Sequence, residues 1–273
     1  MCRSILILLL SIILFGSISA QQPRISKQDD IEDDVALAPC KNADRLAAVE
    51  KLFRAHGATD ADIQIIEKKN TKNLVITKKG TAEGTIVVGA HYDKVSDGCG
   101  AIDNWTGIVD IAHLYGTIRP LTTKKTFKFI AFDREEEGLI GSGVFVGQIP
   151  KDERASVCSM VNLDSFGFAA TQVLANASSS RLVDAAKVFW KKEDLNLSAA
   201  SIANADADST SFVKAGIPAI TFHGLNNDWQ RYLHSSNDKL SNINMKSVFW
   251  GYRTILPFLL DLDLQSCDAY RGK

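Results

Sequence analysis

Residues Thr85 to Gly107, TIVVGAHYDKVSDGCGAIDNWTG, decide how this chain folds. The β-branched run Thr85-Ile86-Val87-Val88 ends in small residues and then in His91-Tyr92-Asp93. That is the pattern of a buried strand delivering polar side chains at its end. A glycine-bracketed loop follows and closes on Asp103, just before an apolar-periodic segment from Trp105 to Ile118 that reads as a helix. His91 and Asp103 thus fall at the end of a strand and the mouth of a helix, where open α/β sheets build their sites. A His-x-Asp alone is more often a satisfied surface or core pair than a metal ligand, so the flanking segments decide its meaning.

Upstream, residues Asn42 to His56 place Leu46, Val49, Leu52 and Phe53 at helical spacing. Two extended stretches, Ile63 to Lys69 and Asn73 to Lys78, then read as a hairpin at a sheet edge, with exposed lysines that discourage further pairing. Downstream, strand Thr126 to Phe132 runs straight into Asp133-Arg134-Glu135-Glu136-Glu137 and the turn Gly138-Leu139-Ile140-Gly141-Ser142. A third buried strand, Ser159 to Leu163, ends at Asp164, and a fourth runs from Gly216-Ile217-Pro218 to Phe222. Helices are expected at Ser180 to Lys192, Thr210 to Ala215 and Met245 to Leu260, and the loop before the last carries Tyr232, His234 and Asp238. Apolar strands without strict alternation, interleaved with helices, predict a single α/β domain whose central, mostly parallel mixed sheet is sandwiched by helices.

The chain has 273 residues, 45% hydrophobic and 23% charged, with net charge -1, so no bulk field points to nucleic acid or to an anionic membrane. The expected partner is a small or peptide-sized molecule. Residues 1–20 combine Arg3, an apolar stretch from Ile5 to Phe15 and small residues up to Ala20, the layout of a secretory signal peptide. An uncleaved anchor is the rival reading, disfavoured by the short apolar stretch. Residues 21–39 are polar and acidic and read as a flexible linker or short pro-segment, with late packing as a first helix the alternative, which leaves 40–273 as the catalytic domain. Cys40, Cys99, Cys158 and Cys267 suit two disulfides in an oxidising, extracellular or periplasmic setting, with three pairings open. They lack Cys-x-x-Cys spacing, which argues against a thiolate zinc site.

His91, Asp103, the Glu135-Glu136-Glu137 run, Asp164 and His234 all follow strands or open helices. Adjacent glutamates usually mark a solvated face. At the carboxyl end of a buried strand, however, their mutual repulsion asks for a shared cation. Two histidines with several carboxylates make a nitrogen-and-oxygen ligand set, suited to Zn2+ and tolerant of Mn2+ or Co2+. If Asp103 bridges two ions about 3.5–4 Å apart, each takes one histidine and one further carboxylate, with a bridging water as nucleophile. Asp93, two residues after His91, is placed to hold the ring's other nitrogen. His223, at the end of the fourth strand, competes with His234 for the second histidine position. His56 and His113, in helical segments, read as structural.

Taken in order, HYD at His91, AIDN around Asp103, EE-x-GLIGS from Glu135, NLD ending at Asp164, DSTSF-x-x-AGIP from Asp208 and HSSNDKLSNIN from His234 resemble the secreted co-catalytic zinc aminopeptidases. Their superfamily also holds the glutaminyl cyclases. Each motif is weak alone, but together they span about residues 85 to 245 in the family's order. The resemblance implies two Zn2+: His91 and Asp164 on one, Glu136 and His234 on the other, and Asp103 bridging both. It implies Glu135 as general base, a register that the residues alone leave open among three glutamates, and a solvated Glu137. It further implies a cis peptide after Asp103 and a substrate peptide with a free N-terminus. Two other readings remain: a single-zinc glutaminyl cyclase, and an inactive binding ectodomain, although no ligand position has been lost.

Overall fold

The computed structural model describes residues 24–271; the expected signal peptide lies outside them. The chain opens with helices α1 (Gln28–Val35) and α2 (Asn42–Ala55), followed by strands β1 (Ile63–Lys68), β2 (Thr71–Lys78) and β3 (Thr85–His91). Next come α3 (Thr106–Ile118), β4 (Thr126–Phe132), α4 (Ile140–Gly147) and β5 (Val157–Leu163). The remainder is β6 (Gln172–Leu174), α5 (Ser180–Lys192), β7 (Ser198–Ala200), α6 (Ser209–Lys214), β8 (Ala219–His223) and α7 (Met245–Leu264). All the strands share one mixed sheet in the order β1-β2-β4-β3-β5-β8-β6-β7. Its centre, β4-β3-β5-β8, is parallel, whereas β1 pairs β2, β2 pairs β4 and β6 pairs β8 antiparallel.

The unbroken apolar character of β3 follows from coverage on both faces. Ile86, Val88 and Ala90 point into a core shared with α1, α2, α3 and α7. Val87 points the other way, into a smaller core with Ile130, Phe132, Met160, Phe145 of α4 and Phe212 of α6. Side chains alternate along a strand, so a sheet covered on both sides needs an apolar residue at nearly every central position. Gly89 is the exception with a reason: a Cβ there would come within 2.5 Å of the Phe132 ring.

At the N-terminus the structure takes the helical alternative: residues 28–35 form α1, a packed helix with Ile31 and Val35 only 0% and 1% exposed in the main core. Asp29, Glu32 and Asp33 line its outer face, which hides the apolar pair from a composition-based reading. The irregular turn Ala101–Trp105 precedes α3, and the Asp103–Asn104 peptide is cis, as the resemblance implies. The cysteines pair Cys40–Cys99 and Cys158–Cys267. The first bridge ties the loop after β3 to the start of α2.

If α1 is part of the core, Ile31→Ala will destabilise the protein by about 2–5 kcal/mol. Urea unfolding of the variant measures this directly, and an unchanged midpoint would restore the linker reading.

Candidate metal centre

The carboxyl ends of β3, β4 and β5 open onto one cleft. His91 ends β3, the acidic turn 133–137 follows β4, and Asp164 follows β5. Asp103 enters from the turn before α3, and His234 from the loop between β8 and α7. His91 Nε2 lies 3.1 Å from Asp103 Oδ1 and 3.7 Å from Asp164 Oδ1. His234 Nε2 lies 3.2 Å from Asp103 Oδ2 and 3.0 Å from Glu136 Oε2. Two triads, His91/Asp103/Asp164 and Asp103/Glu136/His234, therefore meet at Asp103, which turns one carboxylate oxygen to each.

Several side chains hold this arrangement. The Asp93 carboxylate sits 3.4 Å from His91 Nδ1 and accepts the backbone N–H groups of Glu135 at 3.0 Å and Glu136 at 3.2 Å. One carboxylate thus couples the end of β3 to the acidic turn after β4. Asp238 accepts the backbone N–H of Ile102 at 2.7 Å and that of Asp103 at 3.3 Å. The Asn104 amide donates to Leu163 O at 2.9 Å and accepts from the Gly107 and Ser165 N–H groups, which ties the Asp103 turn to the end of β5. Arg45 of α2 is fully buried: its guanidinium donates to the carbonyls of Tyr92, Pro39, Cys99 and Gly100 and lies over the Trp105 ring, 5.6 Å from its centre.

The cleft is short of positive charge. Burial pushes the carboxyls of Glu135 and Glu136 above the usual range, and Asp103 pushes Glu136 further. Burial would also raise Asp103, but the hydrogen bonds from His234 and His91 outweigh it and hold that group far below the ordinary value. His234 is correspondingly pushed up to about 10 by its bonds to Asp103 and Glu136. Even so, Glu136 Oε1 is buried without a hydrogen-bond partner. Imidazole nitrogens and carboxylate oxygens converging around an unsatisfied buried oxygen form a donor set that fits Zn2+, and Mn2+ or Co2+ in its place.

Glu135 lines the same cavity, of about 500 Å³, whose apolar wall is built by Leu174, Ile202, Leu225, Trp229 and Leu233. Glu137 stays outside, paired with Arg134 at 2.7 Å. His223 also faces the cavity, but its Nδ1 accepts the Leu225 N–H at 3.1 Å, and burial lowers it to about 4; it joins neither triad. Tyr232 packs on Phe168 with ring centres 4.8 Å apart. Asp208 is wholly buried behind the cleft, and burial pushes it up to about 7 against the pull of His91.

Arg45, Asp238 and Asn104 received no positioning role from sequence alone. The signal for Arg45 was slight: an arginine at position 45, one residue before Leu46, reads as the solvated edge of an amphipathic helix.

Residues 73–258 match the family model described as Peptidase family M28. The chain belongs to Peptidase family M28. Among curated relatives, a probable leucine aminopeptidase from Arthroderma otae is 24% identical over 239 residues, covering 80% of this chain and 64% of the relative. The chain therefore spans a little under two thirds of that relative's length. Among solved structures, the Legionella pneumophila LapA aminopeptidase superposes with a TM-score of 0.73 at 21% identity, covering 88% of this chain and 72% of that one. A glutaminyl cyclase from Porphyromonas gingivalis superposes with a TM-score of 0.70 at 17% identity, covering 86% of this chain and 98% of that one. The fold of this chain is therefore shared by both kinds of protein.

Replacing Arg45 with Met will leave several buried carbonyls without a donor and cost about 3 kcal/mol or more in chemical denaturation. Arg45→Lys will not restore the loss, because one ammonium cannot reproduce a planar fork of donors. Full recovery with lysine would mean that charge alone is required.

Proposed function

We propose that this protein is a secreted, metal-dependent exopeptidase that releases N-terminal residues from peptides. The observation that carries the reading is the position of Asp103, with its two oxygens facing different histidines and each histidine facing one further carboxylate. In this proposal His91 and Asp164 hold one Zn2+, Glu136 and His234 hold the other, and Asp103 is shared. Bound zinc supplies Lewis-acid polarisation of the scissile carbonyl and brings the pKa of water toward neutrality.

The chain's own residues do the rest. Glu135, on the cavity wall and outside both triads, takes the proton of the attacking water and passes it to the leaving amine. Asp93 positions the base and one ligand together through the Glu135 and Glu136 N–H groups. His91 Nδ1 is held by the Asp93 main-chain carbonyl at 3.2 Å, with the carboxylate beside it at 3.4 Å, which fixes the ring for ligation through Nε2. The acidic cleft attracts a substrate's free α-amino group, and the apolar wall accepts an uncharged first side chain. No side-chain nucleophile takes part. Family membership and the leucine aminopeptidase relatives support peptide as substrate. The two disulfides support an oxidising destination. No helix among the described residues is long and apolar enough to cross a membrane, and the near-neutral charge gives no reason to expect nucleic acid as a partner.

A second reading, a single-zinc glutaminyl cyclase, draws on the near-complete overlap with the cyclase structure. Against it stands the first triad, which presents a full second ligand set.

Glu135→Gln is expected to lower kcat for release of an N-terminal leucine by about a hundred- to ten-thousand-fold with metal content unchanged. Chelation will abolish turnover of the unaltered protein, and added Zn2+ will restore it. Cyclisation of an N-terminal glutamine without release of any residue would replace this reading with the cyclase.

A further inference from the structure

We propose that Asp34, His56 and His113 form a separate site for one divalent ion of the zinc class, and that this ion fastens the N-terminal helix to the body of the domain. The three residues come from the end of α1, the end of α2 and the middle of α3. None belongs to the catalytic cleft, and His113 lies about 10 Å further along α3 than the end that faces it.

Both imidazoles aim one nitrogen at a single oxygen. His56 Nε2 is 2.9 Å and His113 Nε2 3.1 Å from Asp34 Oδ2, with the ring centres 4.2 Å apart. The other nitrogen of His113 is already engaged, 2.7 Å from Ser26 Oγ. Although His113 Nε2 is close to the carboxylate, it makes no hydrogen bond of acceptable geometry, and His113 is only 1% exposed. A buried nitrogen facing a carboxylate oxygen without a proton well placed between them is unfavourable. A cation shared by the two removes the conflict, and Ser26 then fixes the ring as outer partners of ligating histidines do.

The surroundings accommodate this. Gly116, one turn after His113, makes room for the His56 ring: a Cβ there would lie 3.1 Å from Nδ1. An open cavity of about 440 Å³ reaches the three side chains, so water can complete the coordination. Two nitrogens and one oxygen suit Zn2+, Co2+, Ni2+ or Cu2+, whereas Ca2+ and Mg2+ prefer oxygen alone.

This inference does not depend on the catalytic reading, and its test compares proteins that share the same cleft. Metal-free protein and its His56→Ala and Asp34→Asn variants are dialysed to equilibrium against zinc, and metal per chain is measured. Each variant should hold one equivalent less than the unaltered chain while keeping its rate of N-terminal release. Zinc should also raise the Tm of the unaltered protein more than that of either variant. Equal metal content in all three proteins overturns the proposal. Should the variants fail to fold, crystals of the unaltered protein soaked in zinc decide the question. An anomalous peak between Asp34, His56 and His113 supports the site, and peaks confined to the catalytic cleft refute it.

Discussion

Asp103, Glu135, Glu136 and Asp164 are crowded into one cleft, and the repulsion among these carboxylates is what the surrounding structure works against. Water cannot screen them well there, so each needs a donor, a cation or a proton. The protein provides histidines on two sides of Asp103 and a clasp of backbone N–H groups on Asp93. It aligns the ends of β3, β4 and β5, so that their acidic residues arrive together. The parallel centre of the sheet is therefore more than a scaffold: adjacent strands that ended in different directions could not deliver these groups to a common point.

The cleft residues are legible in the sequence because each ends an apolar run or opens a helix, and because their side chains are chemically distinctive. His91 after Ile86-Val87-Val88 and Asp164 after Met160-Val161-Asn162-Leu163 are cases of strand-end placement that periodicity alone identifies. The register of Glu135 against Glu136 is not visible that way. Three adjacent glutamates in a turn have no periodicity to separate them, and the turn ends with Gly138 and Leu139 both at positive φ.

What escapes the sequence has a common cause. α1 carries acidic residues on its outer face, and its two buried aliphatics, Ile31 and Val35, are too few to show a stripe. Arg45 is buried because four carbonyls, distant in sequence, converge on it. β7 is Ser-Ala-Ala, which has no strand signature, and it exists because β6 offers it an edge. In each case the determining partner lies elsewhere in the chain, so no local window contains the information.

The packing of α1 also sets an order of events during synthesis. Ser26 donates its N–H to the Tyr252 hydroxyl at 3.0 Å, and Ile31 and Val35 share a core with Tyr252, Ile255 and Leu259 of α7. The helix α1 rests in part on α3, but its seat is complete only when α7 has been made. A chain emerging from a ribosome or a translocation pore carries α1 without its full set of partners until more than two hundred further residues have followed. The main core is thus completed by pairing a helix near its beginning with one near its end, so its closure joins segments far apart in the sequence.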